Sequence, residues 1–394
     1  MLTRRDFLQV TAATAALMGG APFSKLAAQQ KISQEKLLEF SPVGQVTLLN
    51  FTDCHAQLMP LYFREPSVNL GVGAAHGLPP HITGANFLKH FDLKGGTPEA
   101  YAFSSVDHVA LSNSYGRIGG MAQMATLIKA IRAERSANTL LIDCGDTWQG
   151  SYSSLQTRGE DMVEVMNAMG VDLMTAHWEF TYGAERVKEL IEKLKFPFLA
   201  GNVTDTEWEE PVFKDVIFFE RGGVKIGVIG QAFPYTPIAN PRYMIPTWSF
   251  GIQEEKMRAS VKKAKAGGAE LVVLASHNGF DVDRKLASRV DGIDVILTGH
   301  THDAIPAVIK VKDTLLIATG SHGKFLGRLD LEVKNKKVTN YSYKLMPIFS
   351  DAIKPDPEIA EVIRKVRAPY EKTVNTVLGK TESHLYRRGN FNGT

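Results

Sequence analysis

Thr139-Leu140-Leu141-Ile142-Asp143-Cys144-Gly145-Asp146 is a short apolar run that halts at a glycine and a carboxylate. It follows a segment from Met121 with Met124, Leu127, Ile128 and Ile131 at helical spacing, so strand and helix read together as one βαβ unit. The same grammar, an apolar run ending abruptly in Asp or His, recurs at Asp53-Cys54-His55, Ala176-His177-Trp178-Glu179, Ser276-His277-Asn278 and Gly299-His300-Thr301-His302. Strands that repeatedly end in metal-ligating residue types predict that several of them serve one site.

Working outward, strand patterns fall at residues 45–51, 171–175, 196–202, 224–230, 271–277 and 293–298. They alternate with helical patterns at 161–169, 184–194 and 253–266. Beyond residue 310 the strands at 314–319, 327–333 and 338–343 have no long helices between them. Alternation in the middle with strand-rich tracts at both ends predicts an α/β sandwich of mixed sheets over residues 40–350. Residues 56–120 carry Pro60, Pro66, Pro79, Pro80, Pro98 and many glycines and read as irregular. Within that tract Tyr62-Phe63-Arg64 combines aromatic and cationic groups soon after the first ligands, and is expected to border a substrate channel with Arg64 contacting an anion. Residues 355–370 read as a helix, inside a 351–394 segment that links to something further.

Composition limits the partners. Lys+Arg 45 against Asp+Glu 42 leaves a net charge of +3, too balanced to recruit nucleic acid or an anionic membrane surface. Two cysteines among 394 residues build no disulfide framework, and Cys54 and Cys144 read as small buried residues on packed strands. At the N-terminus, Thr3-Arg4-Arg5-Asp6-Phe7-Leu8 before an uncharged, Ala-rich stretch resembles a twin-arginine export signal over residues 1–30. A periplasmic mature protein with no membrane segment after signal removal is therefore expected.

Five of the 11 histidines, His55, His177, His277, His300 and His302, sit at the ends of apolar runs together with Asp53 and Asp146. In an extended strand, residues two apart share a face, so Asp53 and His55 are expected to reach one ion, as are His300 and His302. Seven ligands exceed the needs of one small divalent ion but suit two that share a carboxylate. Asp146 is the expected bridge, with Asp53, His55 and His302 completing one site and His177, His277 and His300 the other. Mixed imidazole and carboxylate donors suit Mn, Fe, Co or Zn rather than Ca. Two such ions bring water toward ionisation near neutral pH and bracket a tetrahedral oxyanion, so a phosphoryl or sulfonyl centre is the expected substrate.

Asp-x-His, Gly-Asp, a Gly-Asn-His-Glu-like segment, a lone His and Gly-His-x-His, in that order, resemble the calcineurin-like metallophosphoesterases. The stretches Gly119-Gly120-Met121-Ala122, Asp146-Thr147-Trp148-Gln149-Gly150-Ser151 and Glu179-Phe180-Thr181-Tyr182-Gly183 are similar to the 5'-nucleotidase branch. The resemblance covers residues 45–335 and implies a four-layer α/β/β/α metallophosphoesterase sandwich of two mixed sheets. It also makes Arg387 to Thr394 look like the start of a C-terminal 5'-nucleotidase-type domain, so that the sequence reads as a truncated chain.

Two departures stand out. His177 occupies the position of a ligand Asn, and Trp178 that of the His which assists the leaving group. Indole donates a hydrogen bond but gives up no proton at working pH, so expulsion of an alkoxide loses its acid while a leaving group that is already a stable anion does not need one. Together with the export signal and Tyr62-Phe63-Arg64, this resembles the SoxB branch of thiosulfohydrolases in periplasmic sulfur oxidation. That resemblance implies a manganese pair, release of sulfate from a cysteine S-thiosulfonate, and the carrier SoxYZ as partner. A periplasmic 5'-nucleotidase or related phosphoesterase is the alternative, and a non-catalytic binding module with a structural metal site is the third reading.

Overall fold

The structure, a computed structural model, describes residues 32–62 and 71–383. The export-signal residues, Phe63-Arg64 and Arg387 to Thr394 lie outside the described residues.

Two sheets carry the architecture. Edge to edge, the first runs Lys337–Pro347, Phe325–Lys334, Val46–Phe51, Thr139–Asp143 and Leu173–Met174. Its last three strands are parallel and the first two join antiparallel. The second runs Ile309–Val311, Thr314–Ala318, Val295–Thr298, Leu271–Ser276, Val224–Gln231 and Val216–Arg221, with a parallel centre and antiparallel edges. Both sheets are thus mixed.

The side-chain period of two sorts the core into layers. Leu48, Leu140 and Ile142 of the first sheet meet Ile226, Val228, Val273, Leu297 and Ile317 of the second in one apolar cluster between the sheets. Their alternates, Leu49, Phe51 and Leu141, face the other way and pack with Leu127, Ile128 and Ile131 of helix Met121–Glu134 and with Val165 and Met166 of helix Glu160–Met169. On the far side, Ile229, Val272, Leu274 and Ile296 pack with Met257 and Val261 of helix Glu254–Ala266 and with Leu286 of helix Phe280–Arg289. The result is the four-layer α/β/β/α sandwich. Strands buried on both faces read as continuous apolar runs, which is why their ends are so sharply marked in the sequence.

Register then places the functional ends. Phe51 pairs with Asp143 and Asp143 with Met174, while Ser276 pairs with Gln231 and with Thr298. The parallel strands of both sheets therefore finish level with one another, and the segments that follow them converge at their carboxyl ends, the usual place for a site in an open α/β sheet.

Two readings of the sequence need correction. Residues 71–116 are not irregular: they contain helices Gly84–His90, Pro98–Phe103 and His108–Tyr115. Each is eight residues or fewer, too short for helical spacing to register against the surrounding prolines and glycines. Thr97 caps the second with Pro98 at its first turn, a start signal that local chemistry explains. Residues 196–202 form only isolated bridges, Met174 to Phe198 and Leu199 to Lys214, rather than a strand. Helix Pro357–Arg367 falls where the sequence predicts one, and it packs on the first sheet's helical layer. Asp356 caps it, its backbone N–H donates to Ala122 O, and Ile359 and Ile363 are buried in the cluster with helices Met121–Glu134 and Glu160–Met169.

One charged group inside the sandwich supports its first sheet. Arg328, 1% exposed, donates to Glu134 and to Asp330, itself fully buried, and lies over the Phe40 ring at 4.3 Å. Thr47 Oγ1 donates to the same Asp330 at 2.8 Å. Arg328→Met leaves the buried Asp330 carboxylate with only Thr47, the Val43 N–H and Arg135 Nε at 3.6 Å, and urea denaturation is expected to show a loss of about 3 kcal/mol. An unchanged midpoint would show that the pair does not support the sheet.

Candidate metal centre

All seven sequence-derived ligands come together. Ligand atoms of Asp146, His177, His277 and His300 lie within 4.8 Å of one another, as do those of Asp53, His55, Asp146 and His302, so Asp146 is common to both groups. The sharing is by one oxygen. Asp146 Oδ2 lies 3.2 Å from His177 Nδ1, 3.1 Å from His277 Nε2 and 3.7 Å from His55 Nε2. Its Oδ1 instead accepts the backbone N–H of Trp178 at 2.7 Å. On Asp53, the His300 backbone N–H donates to both oxygens at 3.0–3.1 Å, Oδ2 also accepts from Thr52 Oγ1 at 2.7 Å, and Oδ1 faces His302 Nε2 at 3.3 Å and His277 Nε2 at 3.6 Å.

The expected strand alternation is not how these residues converge. Val46–Phe51 ends before Asp53, and Asp53, His55, Asp146, His300 and His302 all adopt positive φ, between 49° and 77°. The chain leaves strands Val46–Phe51, Thr139–Asp143 and Val295–Thr298 through left-handed residues that swing these five ligands inward. That conformation is uncommon for residues with a Cβ, and its concentration here marks a site whose surroundings over-determine the backbone. Gly299 and Gly145 permit the approach, because a Cβ on Gly299 would stand 2.4 Å from Thr52 Oγ1 and 2.8 Å from His277 Nδ1, and one on Gly145 3.0 Å from Ala176 Cα.

Two supports escaped the reading of the sequence. Glu179, fully buried, accepts backbone N–H groups of Thr147 at 2.6 Å and Trp148 at 3.2 Å on one oxygen, and of Asp146 at 3.3 Å and His177 at 2.7 Å on the other. One carboxylate therefore locks the Asp146 turn to the His177 turn. Burial and the nearby Asp146 charge raise its pKa despite those donors. The second is His322, whose N–H donates to Asp53 O at 2.7 Å and whose ring lies 5.4 Å from His55 and 5.3 Å from His302. The signal for it was present: Ser321-His322 follows the apolar run 314–318, the same grammar as the other five.

Of the remaining expectations, Trp178 stands at the start of a 3₁₀ turn, half-buried, its ring 4.6 Å from His177. Arg64 lies outside the described residues, whereas Tyr62 is 50% exposed. Cys54 and Cys144 are buried with free thiols, and burial raises both pKa values well above the usual range, against any nucleophilic role.

The donor set suits two divalent cations. His55 Nε2 and His302 Nε2 face each other at 3.0 Å, and the buried atoms His177 Nε2 and His300 Nδ1 have no hydrogen-bond partner among the described residues. Burial lowers the pKa of His55, His177 and His300, the last to about 3 with help from neighbouring imidazoles, which keeps their lone pairs available. Burial also pushes His277 down, but the Asp146 and Asp53 carboxylates outweigh it and lift it to about 10.

No protein-family model matches the chain. The structure superposes on the SoxB sulfate thiohydrolase of Thermus thermophilus with a TM-score of 0.81 and 36% identity, covering 85% of this chain and 62% of that one. A 5'-nucleotidase precursor from Thermus thermophilus shares the fold at a TM-score of 0.66 and 23% identity, over 85% of this chain and 60% of that one. In sequence, the chain is 26% identical to the 5'-nucleotidase of Rattus norvegicus over 307 residues, 72% of this chain and 53% of that protein. It is also 26% identical to the snake venom 5'-nucleotidase of Gloydius brevicauda over 292 residues, 68% of this chain and 49% of that protein. The chain thus spans about half the length of these curated relatives. Fold and site together fit a calcineurin-like metallophosphoesterase domain of the 5'-nucleotidase branch, with residues placed to hold two metals. Within that branch it fits a SoxB-type member.

Two measurements probe the centre. Glu179→Gln replaces two acceptor oxygens by one and an NH₂ that faces N–H groups, and is expected to weaken metal binding about 10–100-fold in calorimetric titration; wild-type affinity would refute the clamp. His277, with its raised folded pKa, stabilises the metal-free chain fully below its ordinary value, and that contribution fades as pH rises through about 10. Metal must displace this proton, so titration at about pH 7.5 in buffers of different ionisation enthalpy should show about one proton or more released per chain. Uptake without proton release would contradict it.

Proposed function

We propose that this domain hydrolyses the sulfonate from a cysteine S-thiosulfonate carried on a partner protein, releasing sulfate, with the SoxYZ carrier as partner and the periplasm, reached by twin-arginine export, as its location. Trp178 carries the reading. At the position where phosphoesterases of this branch place an acid, the chain presents an indole against His177 and uses the Trp178 backbone N–H to hold Asp146. Thr181, two residues after Glu179, donates to Asn240 and adds no titratable group.

When bound, two ions, with manganese as the proposed metal, would activate water and stabilise the tetrahedral oxyanion. Asp53, His55, Asp146 and His302 would hold one, and Asp146, His177, His277 and His300 the other. In the balanced reaction the water oxygen bonds to the sulfonate sulfur and the sulfur–sulfur bond breaks. Its electron pair leaves with the cysteine persulfide, and two protons go to solvent beside sulfate. Because the persulfide is a stable anion, the step needs no proton from residue 178. The chain's own contribution is to aim its donors, fix them through Glu179 and keep a non-acidic aromatic beside them. Arg64 is retained as a proposed anion contact.

A protein-borne substrate also agrees with the surface. Tyr235, Ile238 and Tyr243 are 44%, 84% and 77% exposed in the segment that follows Phe233, whose ring packs on His177 and His300. Exposed apolar side chains grouped beside a site mark a place where another macromolecule sits.

The nucleotidase relatives keep phosphomonoester hydrolysis as the alternative. Manganese-loaded full-length protein should release sulfate from a thiosulfonated carrier cysteine and turn over AMP poorly; rapid AMP hydrolysis with no sulfate release would make the alternative correct. Trp178→His restores an acid and should raise phosphatase kcat by about 10-fold or more. An unchanged phosphatase rate would count against this account of the leaving group.

A further inference from the structure

We propose that Phe233 is a positioning residue of the metal centre, its ring setting the orientation of His177 and His300 where no hydrogen bond does; this rests on the two-metal reading of the site. A ligating imidazole ordinarily turns its second nitrogen to a carbonyl or carboxylate, which fixes both tautomer and ring plane. His277 does so, with Nδ1 2.5 Å from Cys144 O, and His55 does so with Nδ1 3.2 Å from Gln149 O. His177 and His300 do not. Among the described residues the His177 ring hydrogen-bonds only Asp146, itself a ligand, and the His300 ring has no hydrogen bond.

Phe233 contacts both of these rings. Its centroid lies 3.9 Å from that of His300 at an interplanar angle of 28°, and 4.1 Å from that of His177 at 47°. The backbone that carries the phenyl is held at residues 232 and 233. Phe233 N–H donates to Ala176 O, next to His177, at 3.1 Å, and Thr236 Oγ1 donates to Phe233 O at 2.8 Å. Buried Asn202 brackets the preceding residue, accepting from Ala232 N–H at 2.9 Å and donating to Ala232 O at 2.8 Å. Nor is Phe233 an ordinary core aromatic. It is 7% exposed yet belongs to none of the three apolar clusters of the sandwich, and its ring neighbours are His177, His300, His277 and Tyr235. A flat ring stacked on the His300 imidazole and tilted against that of His177 restricts their rotation about χ2 as a hydrogen bond would.

The test is calorimetric titration of metal-stripped full-length protein with Mn²⁺, alongside thermal denaturation. Phe233→Leu keeps an apolar side chain and removes the face. It should weaken one of two ions about tenfold or more and leave the other within about threefold, whereas Phe233→Tyr should keep both within about threefold. Phe213→Leu serves as the comparison, since Phe213 packs on Phe198 and Trp248 away from the ligands. It should lower the melting temperature with both ions bound as in wild type. Wild-type binding of both ions by Phe233→Leu, or equal weakening of the two, would overturn the proposal. Fewer than two ions on the wild-type chain would overturn the two-metal reading itself.

Discussion

One carboxylate oxygen, Oδ2 of Asp146, lies within reach of ring nitrogens from both ligand groups, and the rest of the architecture serves to keep it there. Its partner oxygen is held by the Trp178 N–H, its turn is fastened by Glu179, and its strand ends level with its parallel neighbours because Phe51, Asp143 and Met174 share a register. Loss of that alignment by one residue would turn every side chain to the opposite face. The site is therefore a property of both sheets together and not of any one loop.

Charge explains why such a cluster is built so rigidly. Asp53 and Asp146 are fully buried, and burial alone would raise both pKa values. The imidazoles of His277, His302 and His177 reverse this, holding Asp53 at about 2 and Asp146 well below the usual range. Without cations, His277 must carry the compensating proton. Buried carboxylates that are ionised and share few partners are costly unless a positive charge answers them, so the same arrangement that disfavours an empty site favours a metal-filled one. Left-handed backbone at five of the seven ligands adds to the strain held by the surrounding sheets.

Much of this was legible in the sequence, and the failures share a cause. The doubly buried strands and the ligands at their ends stood out because an apolar run meeting Asp or His is a sharp local contrast. The rule invoked to bring Asp53 and His55 together was wrong in detail, since left-handed turns and not strand pleating aim them. Glu179 escaped because its partners are backbone N–H groups, which leave no mark in side-chain spacing. Phe233 escaped because ring stacking across strands that adjoin only in space has no periodicity. The short helices of residues 84–115 were hidden by prolines and glycines that also serve as caps and turns. Arg64 lies outside the described residues.

The shared oxygen is open to direct observation. Crystals of the chain grown with manganese, measured on both sides of the manganese absorption edge, should show two anomalous peaks flanking Asp146, one bounded by Asp53, His55 and His302 and the other by His177, His277 and His300. A single peak, or two peaks that do not share Asp146, would contradict the account.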